Sequence, residues 1–279
     1  MTLDTKQIDK VVLNALEEDM PYGDVTTDNL ISDEDFTEAK FIAKADGVIS
    51  GMPVAARVFE LIDSRTSLEI LKNDGECVQK GDIIAILRGP TAAVLKGERT
   101  ALNLMQRMSG IATRTRVFTE LVKDYPVSVA DTRKTTPGLR YLEKYAVRCG
   151  GGRNHRYSLS DAVMLKDNHI AAGGGILSAV RKVRANIPHT VKIEVEVENM
   201  DMVRDAVESG ADIIMLDNMN EAAMAEAVRY IAGRALVEAS GDVTEERICA
   251  IAETGVDIIS IGRITHSVKA LDISLRFKI

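Results

Sequence analysis

From about residue 127 onward the chain repeats one pattern: a short run rich in Val and Ile, then a longer amphipathic stretch. The apolar runs fall at 127–130, 162–165, 191–197, 212–216, 234–237 and 256–261. The stretches at 176–186, 200–209, 221–232 and 244–253 carry apolar residues at helical spacing. Parallel strands need a crossover of helical length, so this alternation reads as repeated βα units and a parallel sheet. Two segments echo each other, GADIIMLDN from Gly210 and GVDIISIGR from Gly255. Each reads as a helix-ending glycine, a buried strand, and polar residues at the strand's C-terminal end. Six such units, with no GxGxxG after any strand, fit an incomplete α/β (TIM-like) barrel better than a doubly wound dinucleotide fold.

Residues 1–100 lack that rhythm. MTLDTKQIDKVVLNALEEDM reads as a charged amphipathic helix, and strand-like pieces follow at 38–45, 47–49 and 82–87. Turns are expected at Asp46-Gly47 and Asp74-Gly75. NDGECVQKGDIIAILRG resembles half of a biotinyl- or lipoyl-type sandwich without the lysine-bearing hairpin tip that such carriers modify, so it reads as scaffold. Residues 97–119 read as a long helix leading into the barrel. The tail from 272 alternates as a strand able to return to the first domain.

The bulk numbers narrow the function classes. With 279 residues, 46% of them hydrophobic, the chain has enough material for one large domain or two smaller ones. A net charge of −7 argues against general affinity for nucleic acid or an acidic membrane, so any anion site must be local. Cys77, Cys149 and Cys249 show no CxxC spacing, which fits a reducing compartment. No run of about 18 apolar residues and no signal-peptide core occurs, so a cytoplasmic protein is expected.

Charged residues stand after almost every apolar run, where α/β barrels carry their sites. Asp131-Thr132-Arg133-Lys134 follows the first run and Lys166-Asp167-Asn168-His169 the second. Glu194, Glu196 and Glu198 alternate along the third and so share a face. Asp217-Asn218 follows the fourth, Glu238-Ala239-Ser240-Gly241 the fifth and Gly262-Arg263 the sixth. Between Asp131 and His169 stand eight Lys or Arg against four Asp or Glu, a positive island in a negative chain. Arg133 and Arg156 suit bidentate capture of carboxylates, with Lys134 and Lys166 as point charges. Arg140, Lys144 and Arg148 read instead as a solvated helix face. His155 and His169 read either as core histidines or as ligand contacts. Glu196 and Asp217 can hold magnesium on a phosphorylated substrate, whereas Glu194 and Glu198 read as a buried pair or surface charges. Ser240-Gly241 and Gly262 precede helical segments, where backbone N–H groups receive phosphate.

At this point the motifs DTRKTTPGLR, GGGRNHRYSLSDAVMLKDNHI, EVEVEN, MLDN, EASGDV and GVDIISIGRITHS resemble, in order, those of the quinolinate phosphoribosyltransferase family. EDMPYGDVTT and GERTALNLMQRMSGIAT match its N-terminal motifs, so the resemblance spans nearly the whole chain. It implies an N-terminal α/β sandwich over 1–105, joined by a C-terminal strand at 270–279, and an incomplete barrel over 106–269. The implied reaction joins quinolinate and phosphoribosyl pyrophosphate (PRPP), with magnesium, into nicotinate mononucleotide, pyrophosphate and carbon dioxide. The resemblance further implies that Arg133, His155, Arg156 and Lys166 hold the quinolinate carboxylates. Thr132 and Lys134 sit at the same substrates, and Arg99 is contributed by a neighbouring subunit of a homodimer or larger assembly. Glu196 and Asp217 serve magnesium and the ribose hydroxyls. Ser240, Gly241, Asp242, Ile261, Gly262 and Arg263 cradle the 5′-phosphate.

Three positions depart from the family pattern. Ser158 stands where glycine is usual. Asp242 places an acid beside the phosphate turn, and Arg263 replaces a small residue in a place where it can offset that acid. The rival readings are a molybdate-transport-associated paralogue sharing TRKTTPG, a Schiff-base aldolase using Lys166, and a catalytically silent barrel.

Overall fold

The computed structural model describes residues 3–277, in two compact units. The first unit comprises the chain through Arg116, Thr135–Gly151 and the stretch from Ile264 on; the second comprises Val117–Lys134 and Gly152–Arg263. The chain opens with helix α1 (Thr5–Asp19), capped by Asp4, whose side chain accepts from Gln7 N–H. Helix α2 (Val25–Leu30), strand β1 (Phe36–Ala43), strand β2 (Gly47–Val48) and helix α3 (Met52–Ile62) follow. Then come strands β3 (Ser67–Ile70), β4 (Cys77–Val78) and β5 (Ile83–Pro90), and the long helix α4 (Thr91–Leu121). The expected helix at 97–119 thus starts six residues earlier, directly after the strand.

The second unit begins its sheet with strand β6 (Ser128–Ala130), after which helix α5 (Arg140–Cys149) belongs to the first unit rather than to the expected barrel range. The sheet continues through strand β7 (Val163–Leu165), helices α6 (Asp167–Gly173) and α7 (Ile176–Arg184), strand β8 (Ile193–Val197), helix α8 (Met200–Glu208), strand β9 (Ile213–Asp217), helix α9 (Glu221–Ile231) and strand β10 (Leu236–Ser240). Helix α10 (Ile248–Glu253), strand β11 (Ile258–Ser260), helix α11 (Arg263–His266) and strand β12 (Ile273–Phe277) complete the chain. The six strands at the heart of the unit are all parallel, in the order β6-β11-β10-β9-β8-β7. The first strand lies beside the last, and the two free edges, β6 and β7, are consecutive in sequence. That is an α/β barrel left open at one seam. Arg153 covers part of the β6 edge, donating its N–H to Val129 O (2.8 Å) and accepting from Asp131 N–H (3.1 Å).

In the first unit the antiparallel sheet runs β12-β1-β5-β3, with β2 and β4 as a separate pair. The tail strand pairs with β1 from Ile273↔Ala43 to Phe277↔Ala39; the last two residues of the expected 270–279 strand lie outside the described residues. Helix α5 corrects one expectation. Of its three spaced cations only Arg148 is exposed, while Lys144 is fully buried beside Glu143. A period-four row of cations looks solvated in sequence, but this helix buries much of its surface. Among the described residues no helix is long and apolar enough to cross a membrane.

Candidate active site

Because the six strands are parallel, their C-terminal ends open at one mouth. β6 is followed by Asp131, Thr132, Arg133 and Lys134, and β7 by Lys166. Glu196 lies near the end of β8, Asp217 ends β9, and Ser240 ends β10 ahead of Gly241 and Asp242. Ile261, Gly262 and Arg263 follow β11. Ser240 stands in register with Asp217, and Glu196 is one strand away opposite Met215. All these residues belong to the second unit; Arg99 is an exposed residue of α4 in the first.

Below the mouth lies a polar cluster. Asp131 is fully buried and accepts from His155 N–H (2.8 Å) and from Asn154 Nδ2 (2.7 Å), which anchors the 150–162 loop to the end of β6. The His155 ring is 12% exposed and both its nitrogens are engaged: Nδ1 accepts from Arg156 N–H (2.8 Å), and Nε2 faces Glu194 (3.1 Å) and Glu238 (3.6 Å). A ring whose Nδ1 accepts carries its proton on Nε2, so Nε2–H donates to Glu194. His155 is therefore bonded to the protein at both nitrogens. Glu238 is 1% exposed, and its Oε1 has no hydrogen-bond partner. Burial first, and then the charge of Glu194, push its carboxyl up to about 7. Among the described residues, His155, Glu194 and Glu238 form the single grouping of three or more side chains able to hold a metal ion without help from a substrate. A metal-bound histidine donates through its other nitrogen, however, and here that nitrogen accepts.

The cations sit above this cluster. Arg156 Nη1 donates to Ala162 O (2.8 Å). Burial first, then the Arg133 guanidinium nearby, pull Arg156 below the usual arginine range. Two guanidiniums close enough to repel are relieved by a dianion. Lys134 is exposed, with its N–H bonded to Thr132 Oγ1 (3.0 Å). Lys166 Nζ forms an ion pair with Glu196. His169 is exposed and accepts from Lys166 N–H through Nδ1 (3.2 Å), which makes it part of the helix start at α6 and not of the mouth. Of the alternating acids on β8, Glu194 is buried and Glu198 exposed past the strand end.

On the far side of the mouth the turns after β9 and β10 interlock. Asn218 N–H donates to Ser240 O (3.0 Å), and Asn218, Gly241 and Asp242 all have positive φ (54°, 90° and 43°). A Cβ on Gly241 would lie 2.1 Å from Asn218 Oδ1, so only glycine fits there. Left-handed conformations at non-glycine residues gather at sites where the backbone is shaped for a ligand. Asp242 and Arg263 are both exposed. Ser158 has a local use: its N–H and Oγ both donate to Asp161, at 3.0 Å each.

The donor set fits magnesium. Mg2+ takes hard oxygen ligands, commonly one or two carboxylates beside substrate phosphates and water, and Glu196 with Asp217 on adjacent strands is such a pair. Glu238 and Asp131 were legible in sequence only as strand-end charges. The signal for Glu238 was its place inside a Leu-Val-Glu-Ala run, since β10 extends to Ser240 and makes position 238 mid-strand.

The model of the quinolinate phosphoribosyl transferase N-terminal domain matches residues 24–109, and that of the C-terminal domain residues 111–276. The chain is 45% identical over 269 residues to a probable carboxylating nicotinate-nucleotide pyrophosphorylase of Bacillus subtilis, covering 96% of this chain and 93% of that protein. It is 42% identical to the chloroplastic nicotinate-nucleotide pyrophosphorylase (carboxylating) of Arabidopsis thaliana, covering 98% and 83%. The crystal structure of NadC from Streptococcus pyogenes superposes with a TM-score of 0.95 at 40% identity, covering all of both chains. With family models across nearly its whole length and relatives well above 30% identity, the chain belongs to the quinolinate phosphoribosyltransferase family.

Proposed function

We propose that this chain transfers the phosphoribosyl group of PRPP to the ring nitrogen of quinolinate with decarboxylation, giving nicotinate mononucleotide, pyrophosphate and carbon dioxide. The observation that carries the reading is the pairing of like charges at Arg133 and Arg156, at the same mouth as the Glu196 and Asp217 carboxylates. One edge of the mouth is built for a dianion and the other for a metal-bearing phosphate ester.

In this reading Arg133, Arg156 and Lys166 grip the quinolinate carboxylates and aim the ring nitrogen at the anomeric carbon. His155 holds the Arg156 backbone through its Nδ1. Thr132 and Lys134 meet both substrates. Ser240, Gly241, Asp242, Ile261, Gly262 and Arg263 frame the 5′-phosphate. When bound by Glu196 and Asp217, magnesium supplies neutralisation of the departing pyrophosphate. The N–C1′ bond forms as the C1′–O bond breaks, and pyrophosphate leaves with the electron pair. The ring, now a pyridinium, accepts the electrons of the breaking C2–carboxylate bond, and a proton takes the place of carbon dioxide. Lys134 or Lys166 stabilises the carbanion-like state between these events.

The names of the relatives favour this activity over that of the molybdate-transport-associated paralogue. Lys166 is engaged by Glu196, which disfavours the Schiff-base aldolase. A cytoplasmic homodimer or larger homo-oligomer, with Arg99 reaching a neighbour's mouth, completes the reading; the exposure of Arg99 supports it. The test mixes purified protein with quinolinate, PRPP and magnesium and follows both products, with nicotinate as a parallel substrate. Equal release of nicotinate mononucleotide and carbon dioxide is expected, dependent on quinolinate. No turnover in a folded protein refutes the proposal.

A further inference from the structure

Arg247, at the start of α10, has no place in the reaction just described, yet its guanidinium is spent on the two interlocked turns. Nε donates to Glu221 Oε1 (2.5 Å), and Nη2 to Met219 O (2.8 Å) in the turn after β9. Nη1 donates to Gly241 O (3.3 Å) and Asp242 O (3.5 Å) in the turn after β10. Its charge is matched by Glu221, whose carboxyl it holds below the usual range. A guanidinium so occupied is a strap between backbones and not a ligand for an incoming anion.

The consequence follows from the planarity of the trans peptide, in which C=O and the next N–H point in opposite directions. With the carbonyls of Gly241 and Asp242 drawn towards Arg247, the N–H groups of Asp242 and Val243 turn away from it. Neither N–H has an acceptor among the described residues. Successive amides in such a turn form an anion-binding concavity, here reached through the left-handed Gly241 and Asp242. An acid at position 242 is tolerable on this account because the amides, not the side chain, face the phosphate.

We propose that Arg247 is a positioning residue for the phosphoribosyl end of PRPP, fixing the turn after β10 in amide-presenting form and locking it to the turn that carries Asp217. This rests on the proposed function, and it adds a residue that touches neither substrate. A fork that bonds three carbonyls and a carboxylate cannot be replaced by the point charge of lysine.

The test is steady-state kinetics on Arg247→Lys, Arg247→Ala and Glu221→Gln, each checked for folding by thermal melt. The expected result is a rise in KM for PRPP of about tenfold in both Arg247 variants, the scale of one or two lost hydrogen bonds. KM for quinolinate stays within about twofold, because the quinolinate cations lie on other turns. Glu221→Gln leaves the guanidinium in place and gives a smaller rise in the same direction, and it serves alone if the Arg247 variants do not fold. Rescue by lysine, an unchanged KM for PRPP, or an equal rise for both substrates overturns the strap. An inactive wild-type protein sinks the functional reading instead. In that case calorimetric titration of PRPP into wild type and Arg247→Lys decides the strap separately: unequal affinity upholds it and equal affinity refutes it.

Discussion

Asp74 in the first unit and Glu238 in the second are both carboxyls raised by burial, and they are used in opposite ways. Asp74 accepts from Gly51 N–H and Met52 N–H (3.0 Å each) and from the Tyr145 hydroxyl (2.8 Å). It supplies from a distance the cap that α3 lacks, since the N-cap position there is Gly51 in a left-handed conformation. Glu238 has a bare oxygen, a second acid beside it and a histidine at 3.6 Å. A buried acid whose bonds are complete fixes backbone; one left short stores electrostatic strain, and such groups cluster beneath reactive sites.

The contrast can be broken at several points. The largest effect belongs to the mouth that the second cluster supports. Arg156→Ala lowers kcat/KM for quinolinate by about 10²–10³-fold, as expected for a lost charge-assisted clamp, with the melting temperature little changed. Near-normal kinetics detach the cluster from function. Next comes Asp74→Ala, which strands two backbone N–H groups and a hydroxyl and costs about 3 kcal/mol in urea unfolding; a cost below about 1 kcal/mol removes Asp74 from the structural side of the comparison.

Glu238→Gln comes third and is read in pH dependence. An acid raised from 4.5 to about 7 in the fold binds more protons folded than unfolded, so wild-type stability declines as pH rises between those values. The neutral amide flattens that decline, and a slope unchanged from wild type places its origin elsewhere. Tyr145→Phe, measured by urea unfolding as for Asp74, removes one of the three bonds to Asp74 and costs about 1 kcal/mol. Least of all is Asp201→Asn, which breaks the surface pair with Arg204 at a residue whose side chain is 92% exposed and shifts stability by under about 0.5 kcal/mol.

Much of this is legible in the sequence. The period of the apolar runs located all six parallel strands to within two or three residues, because strands of a parallel sheet are buried on both faces and read as apolar runs too short for helices. The charges after those runs located the mouth. Three things were hidden, each for a physical reason. The chain in α5 looked solvated because a row of cations says nothing of what packs on it, and Lys144 proved buried. Asp74 looked like a turn residue because its partners lie more than twenty and seventy positions away. Arg247 has no sequence signal because its four acceptors come from two other turns and a helix start, and backbone carbonyls leave no mark in a sequence.

The antiparallel sheet of the first unit has one further consequence, for synthesis. β1 sits between β5, which follows it closely, and β12, which is synthesised only after every strand of the barrel. For that interval one side of β1 is an unsealed row of amides and carbonyls, with Phe41 and Ala43 lacking their final neighbours, and such edges recruit foreign strands. The nascent chain thus carries an adhesive flank that its own tail closes last. Shortening that tail threatens yield and solubility before it touches the chemistry at the other unit's mouth.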